Sequence, residues 1–221
     1  MLEVKDLKAG YSRDVNILED IGFTIGPGEV LGVIGLNGSG KSTLAKALVG
    51  RIPFRSGFIT YGGISLMGVP ESGLAGRGIA YMRQGGSVFG TLSVEENLTL
   101  AAGKRDMRSI YTPSFFPDKR KVRADRLSGG ERHILALSMA LASNPTLLIL
   151  DEPCAGLSPS VSEAVYVLLE KMIRDRSLSV LLIDHNVARL VALSSRIALL
   201  SEGRLSLLPA DMNTVKNSYS L

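Results

Sequence analysis

The glycine-rich stretch GLNGSGKST, residues 35–43, links a short apolar run, EVLGVIG, to the segment KSTLAKALVG, in which the leucines have helical spacing. It matches the pattern G-x-x-x-x-G-K-[ST] at every fixed position. Glycines in such a turn allow backbone N–H groups to converge on phosphate oxygens, and the dipole of the following helix favours the same negative charge. The stretch and its surroundings therefore predict a strand, a phosphate-binding loop and a helix.

Two residues of this loop carry further chemistry. Lys41 is placed to reach the β- and γ-phosphates of a nucleoside triphosphate, and Ser42 is placed to offer its hydroxyl to Mg²⁺. A chance glycine turn is the alternative interpretation. It is disfavoured because the apolar run before the loop and the helical pattern after it are both present.

Composition limits the class of protein. The chain has 221 residues, of which 45% are hydrophobic and 21% are charged, as in globular proteins and unlike disordered ones. The single cysteine, Cys154, excludes an internal disulfide framework. The opening MLEVKDLKAG predicts no signal peptide, and no apolar run approaches the roughly 18 residues of a membrane-spanning helix. We therefore expect any membrane role to require a partner.

The net charge of +4 raises the question of nucleic-acid binding. Basic residues concentrate in residues 103–126, GKRDMRSIYTPSFFPDKRKVRADR, where eight lysines and arginines outnumber three aspartates. A solvated surface is the favoured interpretation, and a patch for nucleic acid or anionic lipid is the alternative.

The order of patterns along the chain predicts an α/β fold. The first third contains strand-like runs, residues 85–144 are helix and loop with a capping box from Ser93 to Glu96, and buried strands alternate with helices from Pro145 onward. Continuous apolar strands separated by helices are typical of a mostly parallel sheet that is covered on both faces.

A second site is predicted where the run TLLILDEP ends. A buried strand there reaches Asp151 and Glu152, and ligands collect at the carboxyl ends of parallel strands in open α/β sheets. One of two adjacent carboxylates can hold a Mg²⁺ ion while the other polarises a water molecule for attack on a γ-phosphate. An acidic strand end without a task is the alternative, but the phosphate-binding loop upstream favours the functional interpretation.

Seven sequence features occur in a characteristic order. Tyr11 lies in GYS, the loop GLNGSGKST follows, Gln84 lies in YMRQGG, LSGGE occupies residues 127–131, LLILDE and AGLSPS come next, and His185 lies in LLIDHN. Over nearly its whole length the chain thereby resembles the nucleotide-binding subunit of ABC transporters. In that family these features are the adenine-stacking aromatic, Walker A, the Q-loop, the signature, Walker B, the D-loop and the switch histidine.

The resemblance implies the fold of an ABC ATPase. This is an α/β P-loop core that has a mixed, mostly parallel sheet with helices on both faces, an N-terminal antiparallel β part and an inserted α-helical lobe. We expect a single ABC ATP-binding domain over residues 1–221. Its core is expected in residues 1–84 and 145–208, its helical lobe in residues 85–144 and a loosely held tail in residues 209–221.

The resemblance also implies roles for individual residues, with ATP and Mg²⁺ as cofactors. Glu152 is the implied catalytic carboxylate, and Lys41, Gln84 and His185 are further catalytic residues. The implied Mg²⁺ ligands are Ser42, Gln84 and Asp151. The implied ATP-binding residues are Tyr11, Gly35, Asn37, Gly38, Ser39, Gly40, Lys41, Ser42 and Thr43.

LSGGE implies a second subunit. In the family that the chain resembles, the signature of one subunit faces the Walker A loop of another, so Ser128, Gly129, Gly130 and Glu131 are implied to hold ATP bound by the partner. Glycine N–H groups at a helix N-terminus suit this task because they form an anion site. We expect a homodimer, or a heterodimer with a second ABC ATPase subunit, that two ATP molecules close and hydrolysis opens.

Within the family the sequence is most similar to the ATP-binding subunits of high-affinity branched-chain amino acid importers. The segments LSVEENL, DEPCAGLSP and LLIDHNVARLVALSSRIALLSEGRL carry this similarity. Ser158 replaces the usual aspartate of the D-loop, a change that this group tolerates. The similarity implies a cytoplasmic ATPase that is peripheral on the cell membrane and powers transmembrane permease subunits, with a substrate-binding protein joined through the complex.

Other functions remain as alternatives. The same ATPase can serve an ABC exporter or a lipid extractor with separate membrane subunits. A soluble ABC protein acting on ribosomes or nucleic acid is disfavoured because the chain has neither a second cassette nor a long coiled-coil insertion. A P-loop kinase or GTPase is disfavoured by LSGGE and by the absence of an N-K-x-D guanine motif.

Overall fold

The protein is described by a computed structural model, which covers residues 1–103, 116 and 118–219. Two sheets form its framework. The smaller is antiparallel, with the strand order β2-β1-β4-β5. Its strands are β1 (Leu2–Gly10), β2 (Leu18–Ile25), β4 (Phe54–Tyr61) and β5 (Ile64–Ser65).

The larger sheet has six strands in the order β10-β9-β3-β8-β7-β6. Five of them run parallel, and β10 pairs antiparallel with β9. This arrangement confirms the predicted α/β fold with a mixed, mostly parallel sheet. The strands are β3 (Val30–Ile34), β6 (Ile79–Met82), β7 (Leu147–Asp151), β8 (Ser179–Ile183), β9 (Arg196–Ser201) and β10 (Arg204–Pro209).

Helices cover both faces of this sheet. None of the helices in the described ranges is long and apolar enough to cross a membrane. They are α1 (Lys41–Leu48), α2 (Val94–Ala102), α3 (Gly129–Ala142), α4 (Pro159–Arg176), α5 (Val187–Leu193) and α6 (Met212–Tyr219).

Alternation along the buried strands divides the core into two layers. In β7, Leu147 and Ile149 pack with the side chains of α1 and of the antiparallel sheet. Leu148 and Leu150 point to the other face and pack with the side chains of α2, α3 and α4. Because successive strand residues face opposite sides, a strand that is apolar throughout requires cover on both faces.

Two helices of residues 85–144 begin with the same reciprocal cap. At α2 the Ser93 hydroxyl accepts the N–H of Glu96, and the Glu96 carboxylate accepts the N–H of Ser93. This is the capping box that the sequence predicts. The equivalent pair at α3 is Ser128 and Glu131. Most of the basic stretch between these helices, residues 104–115 and 117, lies outside the described residues.

The C-terminal segment differs from the expected loosely held tail. Residues 212–219 form α6, the Asp211 carboxylate accepts the N–H of Thr214 at 2.8 Å, and the side chain of Val215 is fully buried beside Ile34, Leu190 and Ile197. The expectation overlooked the spacing of Met212, Val215 and Tyr219, which matches one face of a short helix in an otherwise polar segment. The helix forms because that valine completes a cluster built by distant residues.

Replacing Val215 with alanine tests this docking. We expect a loss of about 2 kcal/mol in the free energy of unfolding, because two buried methyl groups are removed. Chemical denaturation is the measurement, and Val167→Ala is the matched control, since Val167 is also helical but 55% exposed. Equal stability of the two variants would contradict the docking of α6.

Candidate functional site

The predicted site residues meet at one edge of the larger sheet. The neighbouring strands β3, β8, β7 and β6 are parallel, so their carboxyl ends lie side by side. The glycine-rich loop follows β3, His185 follows β8, Asp151 ends β7 with Glu152 next to it, and Gln84 follows β6. Such an edge is where open α/β sheets bind ligands.

The glycine-rich loop is shaped by close backbone approach at one glycine and by a left-handed turn at another. A Cβ at Gly35 would lie 2.3 Å from the carbonyl oxygen of Leu200, so only glycine fits there. Gly38 has a φ of +82°, a conformation that costs glycine least, and the space around its Cα is open. The loop can therefore turn its backbone toward a ligand without side chains in the way.

Lys41 is held at the mouth of this loop by backbone oxygens. Its Nζ donates to the carbonyl oxygens of Gly35 at 2.8 Å and of Leu36 at 2.9 Å. The residue is buried, and burial lowers the pKa of its amine, while the charges of Glu152 and Asp151 oppose that shift. A phosphate oxygen could take over both donated hydrogen bonds as charge-assisted ones.

A cavity of about 320 Å³ opens above the loop. The loop also contains a buried hydroxyl oxygen, Ser39 Oγ, that makes no hydrogen bond. An unpaired polar atom, a glycine-rich loop at a helix N-terminus and a lysine fit the triphosphate of a nucleotide. The lining residues are Ile17, Asn37, Gly38, Gly40, Lys41, Ser42, Thr43 and Glu152.

Ser42 and Asp151 form a pair of oxygen donors beside the loop. The Ser42 hydroxyl donates to Oδ1 of Asp151 at 3.1 Å. Burial raises the pKa of the Asp151 carboxyl, and the neighbouring Glu152 raises it further, while the hydrogen bond from Ser42 opposes both. A hydroxyl and a carboxylate are ligands that Mg²⁺ takes together with phosphate oxygens, so the donor set fits that ion.

The carboxylate of Glu152 is held from two sides. Its Oε2 accepts a hydrogen bond from the amide of Gln84 at 2.6 Å, and its Oε1 lies 2.7 Å from Nε2 of His185. The backbone of Glu152 has a φ of +52°, which is uncommon for a residue with a side chain and costs about 1–3 kcal/mol. The structure thus brings Glu152, Gln84 and His185 into one cluster.

Tyr11 does not line the cavity, but it contacts α1, the helix that follows the glycine-rich loop. Lys46 of α1 donates to the Tyr11 hydroxyl at 3.2 Å, and its ammonium lies 5.7 Å from the centre of the ring. Tyr11 is 50% exposed, which leaves it accessible to a planar ligand.

The signature residues lie at the N-terminus of α3, where Ser128 is the N-cap. Among the described residues, none from 128–131 lines the cavity at the glycine-rich loop. Glu131 pairs with Lys119, and this contact, together with the N–H of Ser128, lowers the pKa of Glu131 to about 2. The Glu131 carboxylate that caps α3 therefore stays ionised, and the ammonium of Lys119 balances its charge.

The glycine-rich loop, the buried lysine and the adjacent carboxylates define a P-loop protein with the parts needed for nucleotide hydrolysis. The comparison with known families gives the particular group. The sequence model described as ABC transporter matches residues 18–155, which is more than half of the chain. The chain belongs to the ABC transporter family, and it is the ATP-binding, ATP-hydrolysing subunit of a transporter.

Two curated relatives align over nearly the full chain. The probable branched-chain amino acid transport ATP-binding protein LivF of Archaeoglobus fulgidus is 37% identical, over 93% of this chain and 90% of its own. The lipopolysaccharide export system ATP-binding protein LptB of Escherichia coli is 34% identical, over 92% of this chain and 88% of its own. A solved structure of an ATP binding subunit of an ABC transporter has a TM-score of 0.84 and 28% identity, covering 100% of this chain and 94% of that chain.

Sequence reasoning missed two residues near the nucleotide cavity. Ile17 forms part of its wall, and Lys46 contacts Tyr11. Ile17 stands just before β2 in a loop without a motif, so no local signal identifies it. Lys46 could have been found, because it lies five residues after Lys41 on a predicted helix.

Replacing Lys41 with methionine tests its contact with phosphate. We expect affinity for ATP to fall about 10- to 100-fold, because a hydrogen bond to a charged group contributes about 1.5–3 kcal/mol. Isothermal titration calorimetry measures the change. Lys216→Met, on the exposed side of α6, is the matched control, and equal affinity of both variants would contradict the assignment.

Proposed function

We propose that Glu152 is the general base of ATP hydrolysis in this subunit and that Gln84 and His185 orient it. One observation carries this proposal. Gln84 contacts one carboxylate oxygen of Glu152 and His185 contacts the other, and Glu152 lines the wall of the cavity above the glycine-rich loop. A carboxylate there can accept a proton from a water molecule that attacks the γ-phosphate. Lys41 stabilises the charge that develops on the phosphate oxygens.

We propose that ATP binds with Mg²⁺ in this cavity. Ser42 and Asp151 would supply oxygen ligands, and the side-chain oxygen of Gln84 would add another. When bound, the ion neutralises phosphate charge and polarises the transferred group. The residues of the glycine-rich loop hold the phosphates, and Tyr11 supplies the stacking surface for adenine.

We propose that Ser128, Gly129 and Gly130 hold the γ-phosphate of ATP bound to a second subunit, while Glu131 completes the helix cap that presents them. Support comes from their place at a capped helix N-terminus, outside the cavity of their own chain. The Ser128 hydroxyl accepts the N–H of Glu131, so its own proton can serve a phosphate oxygen. Two subunits would then bind two ATP molecules across one interface, with an identical or a related partner.

Glu152→Gln tests both the general-base role of Glu152 and the dimer in which two subunits share two ATP molecules. We expect the variant to bind Mg-ATP normally and to hydrolyse it about 10²- to 10⁴-fold more slowly, because a general base is lost. We also expect it to accumulate as a dimer at saturating Mg-ATP. Phosphate release and sedimentation velocity are the two measurements.

Glu170→Gln is the control, since Glu170 is an exposed acid that pairs with Arg174 on α4. It should hydrolyse ATP at the rate of the unmodified protein. Full hydrolysis by the Glu152 variant would overturn the base assignment. If the Glu152 variant binds Mg-ATP but remains monomeric, the signature that contacts this ATP belongs to a related subunit and not to a second copy of this chain.

We propose that the transporter is an importer of branched-chain amino acids or a similar small solute. The relative LivF supports this through its name and through its identity over nearly the full chain. The relative LptB, with 34% identity, favours a second candidate, a lipid-extracting exporter. In both cases the subunit would sit on the cytoplasmic face of a membrane and act on permease subunits.

We propose that the permease docks in a groove between the core and the helical lobe of residues 85–144. The groove measures about 470 Å³, and the strand that leads to Gln84 forms its floor, so an occupant could influence the catalytic cluster. Its lining is mostly apolar and includes three charged side chains, which suits a short amphipathic helix. The lining residues include Arg51, Glu71, Leu74, Arg83, Phe89 and Met139.

Affinity purification of tagged Glu152→Gln from detergent-solubilised membranes with Mg-ATP tests the partner. We expect a multi-spanning permease with an extracytoplasmic solute-binding protein. Recovery of a permease with lipopolysaccharide-export components would favour the exporter. Ribosomes or nucleic-acid-binding proteins without a membrane partner would overturn both candidates.

Phe89→Glu, introduced into the tagged Glu152→Gln variant, tests whether the permease docks in the groove. Phe89 is 52% exposed, so a charge is tolerated in the isolated subunit but should abolish permease recovery. Phe58→Glu is the matched control, because Phe58 is 63% exposed and lies on β4 of the other sheet. Equal permease recovery with both variants would place the docking site elsewhere.

A further inference from the structure

A buried polar contact lies behind His185, and the proposed hydrolysis does not use it. Tyr166 of α4 donates its phenol O–H to Oδ2 of Asp184 at 2.8 Å. Tyr166 is 4% exposed and Asp184, the residue immediately before His185, is 7% exposed. A buried carboxylate loses water and must replace it with hydrogen bonds, so this contact is costly to remove.

The other oxygen of Asp184 shapes the turn that carries His185. Oδ1 accepts the N–H of Asn186 at 2.9 Å, which closes a side-chain-to-backbone ring around His185. The side chain of Asn186 then accepts the N–H of Arg189 and caps α5. The carboxylate therefore fixes the backbone on both sides of His185.

Tyr166 is itself held firmly. The guanidinium of Arg189 lies 5.7 Å from the centre of its ring and pairs with Glu163 of α4. Burial, and then the charge of Asp184, raises the pKa of Tyr166 well above its usual value, so the phenol keeps the proton that it donates. A cavity of about 220 Å³ connects this pair with His185 and Glu152.

The side chain of His185 is 51% exposed, yet its Nε2 lies 2.7 Å from Glu152. A half-exposed ring has little packing of its own, so its position depends on the turn beneath it. We propose that Tyr166 is a positioning residue for hydrolysis, which acts through Asp184 to hold His185 on Glu152. This inference rests on the proposed roles of His185 and Glu152.

Tyr166→Phe removes one hydroxyl and keeps the ring. We expect kcat for ATP hydrolysis to fall about three- to tenfold with KM changed less than about twofold, because one orienting hydrogen bond is lost. Tyr61→Phe is the matched control. Its hydroxyl also makes a 2.8 Å hydrogen bond, to Thr146 before the amino end of β7, away from the site. An equal fall in both variants would overturn the proposal.

Nuclear magnetic resonance adds a measurement that would not change if Tyr166 only supported the fold. The chain has two histidines, His133 and His185, so imidazole signals of ¹⁵N-histidine protein can be assigned by substitution. We expect Tyr166→Phe to shift the ring signals of His185 and to leave those of His133 in place. Unchanged His185 signals would overturn the proposal.

A double-mutant cycle separates this inference from the proposed function. In single-turnover assays, His185→Ala should slow hydrolysis, and adding Tyr166→Phe should slow it no further. An additional fall of the original size would show that Tyr166 acts independently of His185, and the positioning role would be wrong. Full activity of His185→Ala would instead overturn the proposed role of His185 itself.

Discussion

Hydrogen bonding between the parallel strands sets the positions of Glu152, Gln84 and His185 and of the start of the glycine-rich loop. Gly32 of β3, Leu182 of β8, Leu150 of β7 and Met82 of β6 form one row across the sheet. Within two or three residues of that row, the strands deliver the glycine-rich loop, His185, Glu152 and Gln84. A slip of one residue in β7 would turn Asp151 and Glu152 to the opposite faces, because strand side chains alternate. The apolar layers on both faces of the sheet keep the register, and so the hydrophobic core supports the chemistry.

The site also stores unfavourable electrostatics. Burial lowers the pKa of Lys41 and raises that of Asp151, so burial destabilises the charged form of each group. The left-handed backbone conformation of Glu152 is a further, conformational cost. Such costs are common at functional sites, because groups that are held ready for a ligand cannot all be satisfied without it. A nucleotide with its metal supplies charges opposite to those of both groups, and its binding would offset part of the cost.

Local signals predicted much of the molecule. The glycine-rich loop, the capping box of Ser93 and Glu96, and the acidic end of β7 are each contained in a few consecutive residues. The failures involve contacts between distant segments. The residues on either side of Val215, Thr214 and Lys216, are polar, and its burial depends on α5, β3 and β9. The bond between Tyr166 and Asp184 joins residues 18 positions apart, and it exists only because α4 packs beside the end of β8.

The separation of the two predicted phosphate sites within one chain constrains how the proposed dimer can work. An anion at a helix N-terminus gains about 0.3–1 kcal/mol when exposed and about 2 kcal/mol when partly buried. One signature contact is therefore too weak to hold two subunits together. Two ATP molecules, each contacting one glycine-rich loop and the opposite signature, would add their contributions across a single interface. Loss of a γ-phosphate removes the charge that the signature recognises, so hydrolysis at either site weakens the whole interface. A subunit with one loop and one signature can in this way convert a local chemical step into separation of two bodies.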